Sequence, residues 1–371
     1  MVDRARLLDT FKRLVSIDSL SLGERQMADC LSAAMQKLGM SVKEDGAGVK
    51  LGGNAGNLHA FLPGALELPP LLFCCHMDTV TPGIGKKATV HEDGRITSDG
   101  STILGADDLS GVAAILEAIQ AMRESGKPHR PIEVLFTVAE EIYCRGIAQF
   151  DAAALKSKQC YVLDLTGPVG TAASCAPCIL TFEVAIHGKP AHAGFAPEQG
   201  VHAIRAASAA ISRMELGHVG DRMTVNVGMI DGGSARNIIP QRCVVKGEIR
   251  SFDQAQATAQ LEEIFACFRD AAAELGASAD TEYERVSAAY TVDEAHPSVL
   301  RHKAACEKLG LPFSFVPTHG LSDYNALYGH GLRGLVIANA MEKCHSTEEY
   351  TTADELERIA SLVLELMTSR D

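Results

Sequence analysis

A chain of 371 residues exceeds what one ordinary hydrophobic core supports, so two domains are expected. Its 46% apolar and 22% charged residues are those of a globular protein with a water-exposed surface. An excess of 47 acidic over 34 basic residues, a formal charge of −13 spread along the chain, argues against nucleic acid and anionic membranes as partners.

The opening stretch "MVDRARLLDTFKRLVSID" reads as an amphipathic helix charged throughout, without the apolar stretch of a signal peptide. No apolar run of 18 residues follows, so the cytoplasm is the expected compartment. The 11 cysteines are odd in number and often lie in apolar runs (Cys74, Cys75, Cys160, Cys243, Cys267), which reads as reduced, buried thiols. Cys175-Ala-Pro-Cys178 has redox spacing but does not open a helix after a strand, so a redox role is not expected.

Residues 24–39 place Met27, Leu31, Met35 and Leu38 at helical spacing and stop at Gly39. "NLHAFLPG" and "PPLLFCCHMD" read as strands, Asp108 to Gly126 as a long helix, and "PIEVLFTVAEE" and "QCYVLDL" as further apolar strands. Near-continuous apolar strands alternating with helices predict α/β architecture: a largely parallel sheet with helices on both faces. After about Cys175 the pattern changes. "ILTFEVAIHG" alternates, "EQGVHAIRAASAAISRME" is helical, and two strands surround the Gly-Gly turn of "MTVNVGMIDGGSARNIIPQRCVVKGEIRSF". The helix "QATAQLEEIFACFRDAAAELG" and the strand "TEYERVSAAY" complete a βαββαβ unit, an α+β ferredoxin-like domain. The first pattern then resumes with the helix "HPSVLRHKAACEKLG", the strand "LRGLVIANA" and the helix "TADELERIASLVLELMTSR". The predicted division is 1–175 with 291–371 for the larger domain and 176–290 for the inserted one.

The apolar run "LLFCCHMDTV" ends in a His-x-Asp pair. If the strand continues, His76 and Asp78 share a face, and a carboxylate beside an imidazole fixes its tautomer and raises its basicity. Asp107 precedes a helix, Glu140-Glu141 end "VLFTVA", Asp164 ends "CYVL", and His345 follows "LVIANA". Ligands of open α/β sheets gather outside the carboxyl ends of the strands, so these five sites are expected on one rim. Two neutral imidazoles and three carboxylates would carry about −3 and repel one another unless cations sit among them. Mixed nitrogen and oxygen donors suit Zn²⁺ foremost, with Mn²⁺ or Co²⁺ as alternatives. A bridging carboxylate between two ions leaves an open position for a shared water, and one member of the Glu140-Glu141 pair would then stay uncoordinated as general base.

The stretches "HMDTV", "GADDLSGVAAI", "TVAEE", "VLD", "GKPAHAG", "NIIP", "IRSFD", "GLSDYNAL" and "EKCHSTEE" resemble, in order and over nearly the whole chain, the dizinc exopeptidase family of peptidase T, carboxypeptidase G and succinyl-diaminopimelate desuccinylase. The resemblance is greatest to the peptidase T-like branch. It implies that His76 and Asp164 hold one zinc, Glu141 and His345 the other, and that Asp107 bridges them, with a cis peptide between Asp107 and Asp108. It further implies Glu140 as general base, Asp78 as the carboxylate orienting His76, and His192, Asn237 and Arg250 of the inserted lid as substrate contacts. Gly320 matches a backbone contact. Cys344 departs from the commoner pattern, placing a thiol beside His345. His187, His202 and His302 match nothing in the family and read as structural or solvated.

Rival readings are weaker. The chain has no G-x-S-x-G, no cysteine at a strand-to-helix elbow, no G-x-G-x-x-G and no complete P-loop. A binding protein on the same fold would be favoured by loss of Glu140 or of one ligand, yet every position is filled. The resemblance implies hydrolysis of an amide bond in small peptides, by a tripeptide-type aminopeptidase using a water between two metals and Glu140. The alternative is an N-acyl amino acid deacylase or carboxypeptidase of the same family. With aspartate at position 164, the resemblance points to the aminopeptidases. Two divalent ions per chain, a small peptide substrate and a homodimer formed through the lid are the implied cofactors and partners.

Overall fold

Four apolar segments, Leu71–His76, Ile132–Thr137, Gln159–Thr166 and Arg333–Met341, form the parallel centre of the main sheet in the computed structural model, which describes residues 1–370. In space the order is Ile132–Thr137, Leu71–His76, Gln159–Thr166, Arg333–Met341. Antiparallel strands Leu58–Leu62 and Ser41–Glu44 extend one side, and Thr171–Ala176 lies against Arg333–Met341 on the other. Every residue of Leu71–His76 and of Ile132–Thr137 is buried, so both faces of the sheet are covered there. That is why these strands read as unbroken apolar runs.

The helix Ala106–Ser125 packs against the strands Leu71–His76 and Arg333–Met341 and the helices Arg4–Val15 and Ala353–Thr368. Almost all of it is buried, because Ala and Gly on its faces allow close approach from several sides. Its first turn is not regular: Asp107 and Asp108 have non-helical φ/ψ and are joined by a cis peptide bond. The chain separates into two units, Met1–Cys175 with the segment from Thr291 onward, and Ala176–Tyr290.

The second unit has a wholly antiparallel sheet in the order Gly217–His218, Met223–Gly232, Arg242–Ser251, Cys178–His187, Ser278–Ser287. The helices Ala203–Ile211 and Gln254–Glu274 pack on it through Ala206, Ala210, Leu261, Phe265 and Phe268. This is the βαββαβ arrangement expected from the alternating pattern. Sequence reading missed the short strands Ser41–Glu44 and Ser314–Pro317, whose partial exposure leaves no apolar run. It also missed the helix Asp323–Gly329 and the small sheet of Thr89–Val90, Arg95–Thr97 and Tyr350–Thr352. All 11 cysteines are free, including Cys175 and Cys178. Among the described residues no helix is long and apolar enough to cross a membrane.

Candidate metal centre

Parallel pairing aligns His76 with Thr137, so the turn carrying Glu140 and Glu141 emerges beside His76. Asp107 connects the rest. Its Oδ1 lies 3.0 Å from His76 Nε2 and its Oδ2 lies 3.3 Å from His345 Nε2. His345 Nε2 is also 2.9 Å from Glu141 Oε2. Ligand atoms of His76, Asp107 and Glu141 lie within 4.8 Å of one another, and so do those of His76, Glu140 and Asp164. A carboxylate with one imidazole on each oxygen has the geometry of a bridge between two cations.

The electrostatics fit that use. Burial, then the charge of Asp164, pushes Glu140 well up from the usual carboxylate range. Burial, then the charge of Asp107, does the same to Asp164. His345 is raised to about 10 by its bonds to Asp107 and Glu141. These shifts mark an edge where buried carboxylates outnumber the imidazoles that could balance them. Glu141 Oε1 is buried without a hydrogen-bond partner, an acceptor that a cation would satisfy. The mixed nitrogen and oxygen donors fit divalent ions such as Zn²⁺. His76, Asp107, Glu141, Asp164 and His345 could hold two such ions, with Glu140 in reach of the same space.

Asp78 is wired differently from the His-x-Asp expectation. The strand ends at His76, so Asp78 lies past the pleat, and the nearest partner of His76 Nδ1 is the Asp78 backbone carbonyl at 2.9 Å. The Asp78 carboxylate is 3.6 Å from that nitrogen. It accepts instead from the backbone N–H groups of Glu140 (3.0 Å) and Glu141 (3.1 Å) and from Ser21 Oγ (2.7 Å). One buried carboxylate thus holds the glutamate turn, while its own backbone orients the imidazole.

Several participants were not singled out from sequence. Glu349 accepts the N–H groups of Gly105 (2.7 Å) and Asp107 (2.9 Å), tying down the residue between the two imidazoles. Asn339 donates to Asp108 Oδ1 and to the Leu163 carbonyl. Asp323 is buried beside Glu140 and Cys144, accepts from Thr137 Oγ1, and is raised to about 6 chiefly by burial. The one available signal was membership of Asp323 and Glu349 in the matched stretches "GLSDYNAL" and "EKCHSTEE". Burial and neighbouring carboxylates push the Cys344 thiol far up, opposite to what an oxidation-prone thiolate needs. Gly320 lies in an exposed loop, its N–H on Thr318 Oγ1.

His192, Asn237 and Arg250 belong to the second unit. His192 and Asn237 are neighbours: the His192 and Ile238 backbones bridge, and the Ala193 N–H donates to the Asn237 carbonyl at 2.9 Å. His192 Nδ1 accepts from the N–H groups of Gly194 (3.1 Å) and Phe195 (3.2 Å), so the neutral ring carries its proton on Nε2. The exposed ring, stacked on Phe195, therefore presents a donor to solvent. Arg250 pairs with Glu248 at 2.8 Å near the opposite end of the strand Arg242–Ser251. The loops bearing His192 and Asn237 leave from the Arg242 end. At ~3.3 Å per residue the separation along the strand is about 25 Å.

Comparison with known proteins places these features in a family context. Residues 178–276 match a peptidase dimerisation domain and residues 57–188 match peptidase family M28. The protein YqjE of Bacillus subtilis is 37% identical, over 99% of both chains. A tripeptidase structure from Staphylococcus aureus superposes with a TM-score of 0.94 at 36% identity, covering 99% of this chain and 98% of that one. The aminopeptidase PepT of Bacillus cereus gives a TM-score of 0.90 at 36% identity, with the same coverage.

Proposed function

The chain belongs to the M20-type peptidase family of peptidase T and is a hydrolase, and we propose that it releases the N-terminal residue of small peptides, tripeptides foremost. The carrying observation is the edge where Asp107 lies between His76 and His345 with Glu140 alongside. The resemblance to the Staphylococcus aureus tripeptidase and Bacillus cereus PepT, and the aspartate at position 164, support the aminopeptidase reading over deacylase or carboxypeptidase.

His76 and Asp164 would hold one divalent ion and Glu141 and His345 the other, with Asp107 shared between them; Zn²⁺ suits the donors. Such a pair, when bound, supplies Lewis-acid polarisation of the scissile carbonyl and acidifies the attacking water. Glu140 accepts the water's proton and delivers it to the leaving amine. Asp78 keeps Glu140 aimed by holding its backbone N–H, and the Asp78 carbonyl fixes the His76 ring.

The larger unit is the catalytic domain and the 176–290 unit the lid and dimerisation domain, in line with its match to a peptidase dimerisation domain. Arg250 receives the substrate carboxylate, Asn237 adds a polar contact, and His192 Nε2–H donates to the developing oxyanion. Arg250 and the loop bearing His192 lie toward opposite ends of the strand Arg242–Ser251, about 25 Å long between Arg242 and Arg250 at ~3.3 Å per residue, which supports a tripeptide held by both taking His192 from a second copy of the chain. The match of residues 178–276 to a peptidase dimerisation domain supports a homodimer of this kind. The free thiols support a reducing, cytoplasmic compartment.

The test compares free tripeptides, N-acetylated tripeptides and N-acyl amino acids with Zn²⁺, Mn²⁺ or Co²⁺, using wild type and Glu140→Gln. Free tripeptides should exceed their acetylated forms in kcat/KM at least ~10-fold, and Glu140→Gln should keep its metal while losing at least ~10²-fold in kcat. Faster turnover of N-acylated compounds would move the protein to the deacylases.

A further inference from the structure

Glu24 reads in sequence as an ordinary acid at the start of a helix, "GERQMAD", where it would sit in solvent near the positive end of the dipole. It does neither job. Its side chain makes no capping bond to the helix Arg25–Lys37 and is fully buried. Glu24 Oε1 instead accepts two backbone N–H groups, from Leu22 at 2.8 Å and from Ala139 at 3.0 Å. Oε2 is buried without a partner, a cost that a residue serving only the helix would not incur.

The two donors share an unusual property. Seven non-glycine residues among those described have positive φ. Five lie on the turns that carry Glu140-Glu141 and His345, namely Ala139, Tyr143, Cys144, Lys343 and His345 itself, and a sixth, Ala340, lies near the end of the strand Arg333–Met341 that leads to His345. The seventh is Leu22, at φ 71°. A left-handed conformation in such residues persists only where the surroundings over-determine it. One oxygen of Glu24 therefore pins Leu22 and Ala139 (φ 54°) together, although 115 residues separate Glu24 from Ala139 in sequence.

The adjoining contacts complete a clamp. Asp78 takes the next two N–H groups, those of Glu140 and Glu141, so three successive amides point at two buried carboxylates. The segment Ser19–Glu24 is laid along this assembly: Thr79 N–H donates to Ser19 O at 2.9 Å and Ser21 Oγ donates to Asp78 at 2.7 Å. Glu140 O and Ala139 O close the turn by accepting from Cys144 N (2.7 Å) and Arg145 N (2.9 Å).

We propose that Glu24 is a positioning residue for catalysis: it fixes the left-handed turn at Ala139 that aims the Glu140 carboxylate. This rests on Glu140 being the general base. What the turn needs is an acceptor at Oε1, which glutamine also provides; alanine provides none, and aspartate falls one methylene short of spanning both amides. A displacement of about 1 Å in a proton-transferring group can cost ~10²-fold in rate.

The experiment compares wild type, Glu24→Ala, Glu24→Gln, Glu24→Asp and Glu140→Gln in the metal-loaded full chain. Metal content, kcat and KM on a free tripeptide, and hydrogen exchange of the segment 138–146 by mass spectrometry are measured. Glu24→Ala should keep its metal and a KM within ~3-fold of wild type, lose about 10- to 100-fold in kcat, and exchange faster in 138–146. Glu24→Gln should stay near wild type in both readouts. If the alanine variant does not fold, aspartate takes its place, with the same losses expected. Wild-type kcat and exchange in a folded alanine or aspartate variant would overturn the proposal, as would a glutamine variant impaired as much as alanine. Full activity of Glu140→Gln would instead overturn the assignment of the base, while the exchange data would still report whether Glu24 holds the turn.

Discussion

Replacing Asp78 by alanine tests how the glutamate turn is held. Asp78 is fully buried, and its carboxylate is the acceptor for the Glu140 and Glu141 amides and for Ser21 Oγ. The serine hydroxyl can rotate to a new partner, but the two amides face the space the carboxylate leaves. A hydrogen bond to a charged acceptor contributes ~1.5–3 kcal/mol, so two give about 3–6 kcal/mol. Relief of the repulsion between Asp78 and Glu24 and hydration of the vacated space offset part of this, so about 3 kcal/mol is expected. For a unit of this size ~2–4 °C accompanies each kcal/mol, giving a fall of about 6–12 °C in the transition of the larger unit. The chain forms two compact units, so scanning calorimetry should be resolved into components, with that of Ala176–Tyr290 unmoved. Activity should fall with it, since Glu140 loses its backbone anchor. A melting temperature within about 2 °C of wild type together with normal kcat would refute the reasoning.

Chelation should abolish turnover and lower the melting temperature, because Glu140, Glu141 and Asp164 would face one another without cations; a metal-free sample with full activity by elemental analysis would exclude the two-ion site. Burial lowers His302 from 6.5 to about 4, so its contribution is present above pH 6.5 and lost as pH falls through about 4. That amounts to about 3 kcal/mol, and His302→Gln, which can keep a bond to the Gly170 carbonyl, should flatten the stability profile between those pH values; an unchanged profile would refute this. His192→Ala should retain metal and fold but lose most of its kcat, and mixing it with Glu140→Gln under subunit exchange should restore about a quarter of wild-type activity, since half the dimers are mixed and each has one intact site. No recovery despite verified exchange would place His192 in its own chain's site or outside catalysis.

What could be read without the structure is local. Strand and helix periods come from neighbouring residues, so the apolar runs ending at His76, before Glu140, near Asp164 and before His345 were visible, and with them the expectation of a shared rim. The change from continuous to alternating hydrophobicity near Cys175 likewise marks a sheet buried on both faces giving way to one partly in solvent. Isolated exposed strands such as Ser41–Glu44 carry no such imprint.

Partner choice is not local. Glu24 looks like a helix-start acid, Asp323 a first-turn acid and Glu349 one of a solvated pair, because a carboxylate has the same letter whether water or backbone amides surround it. The sequence by itself determined which residues reach the carboxyl edge of the sheet, since strand length and alternation are set within each segment. Only the tertiary structure decided that Asp78 serves the glutamate turn more than His76, that Asp107 lies between two imidazoles, and that Glu24 joins two strained turns. Those pairings depend on the paths of loops that meet from distant parts of the chain, where burial makes each unsatisfied amide or carboxylate costly enough to select its partner.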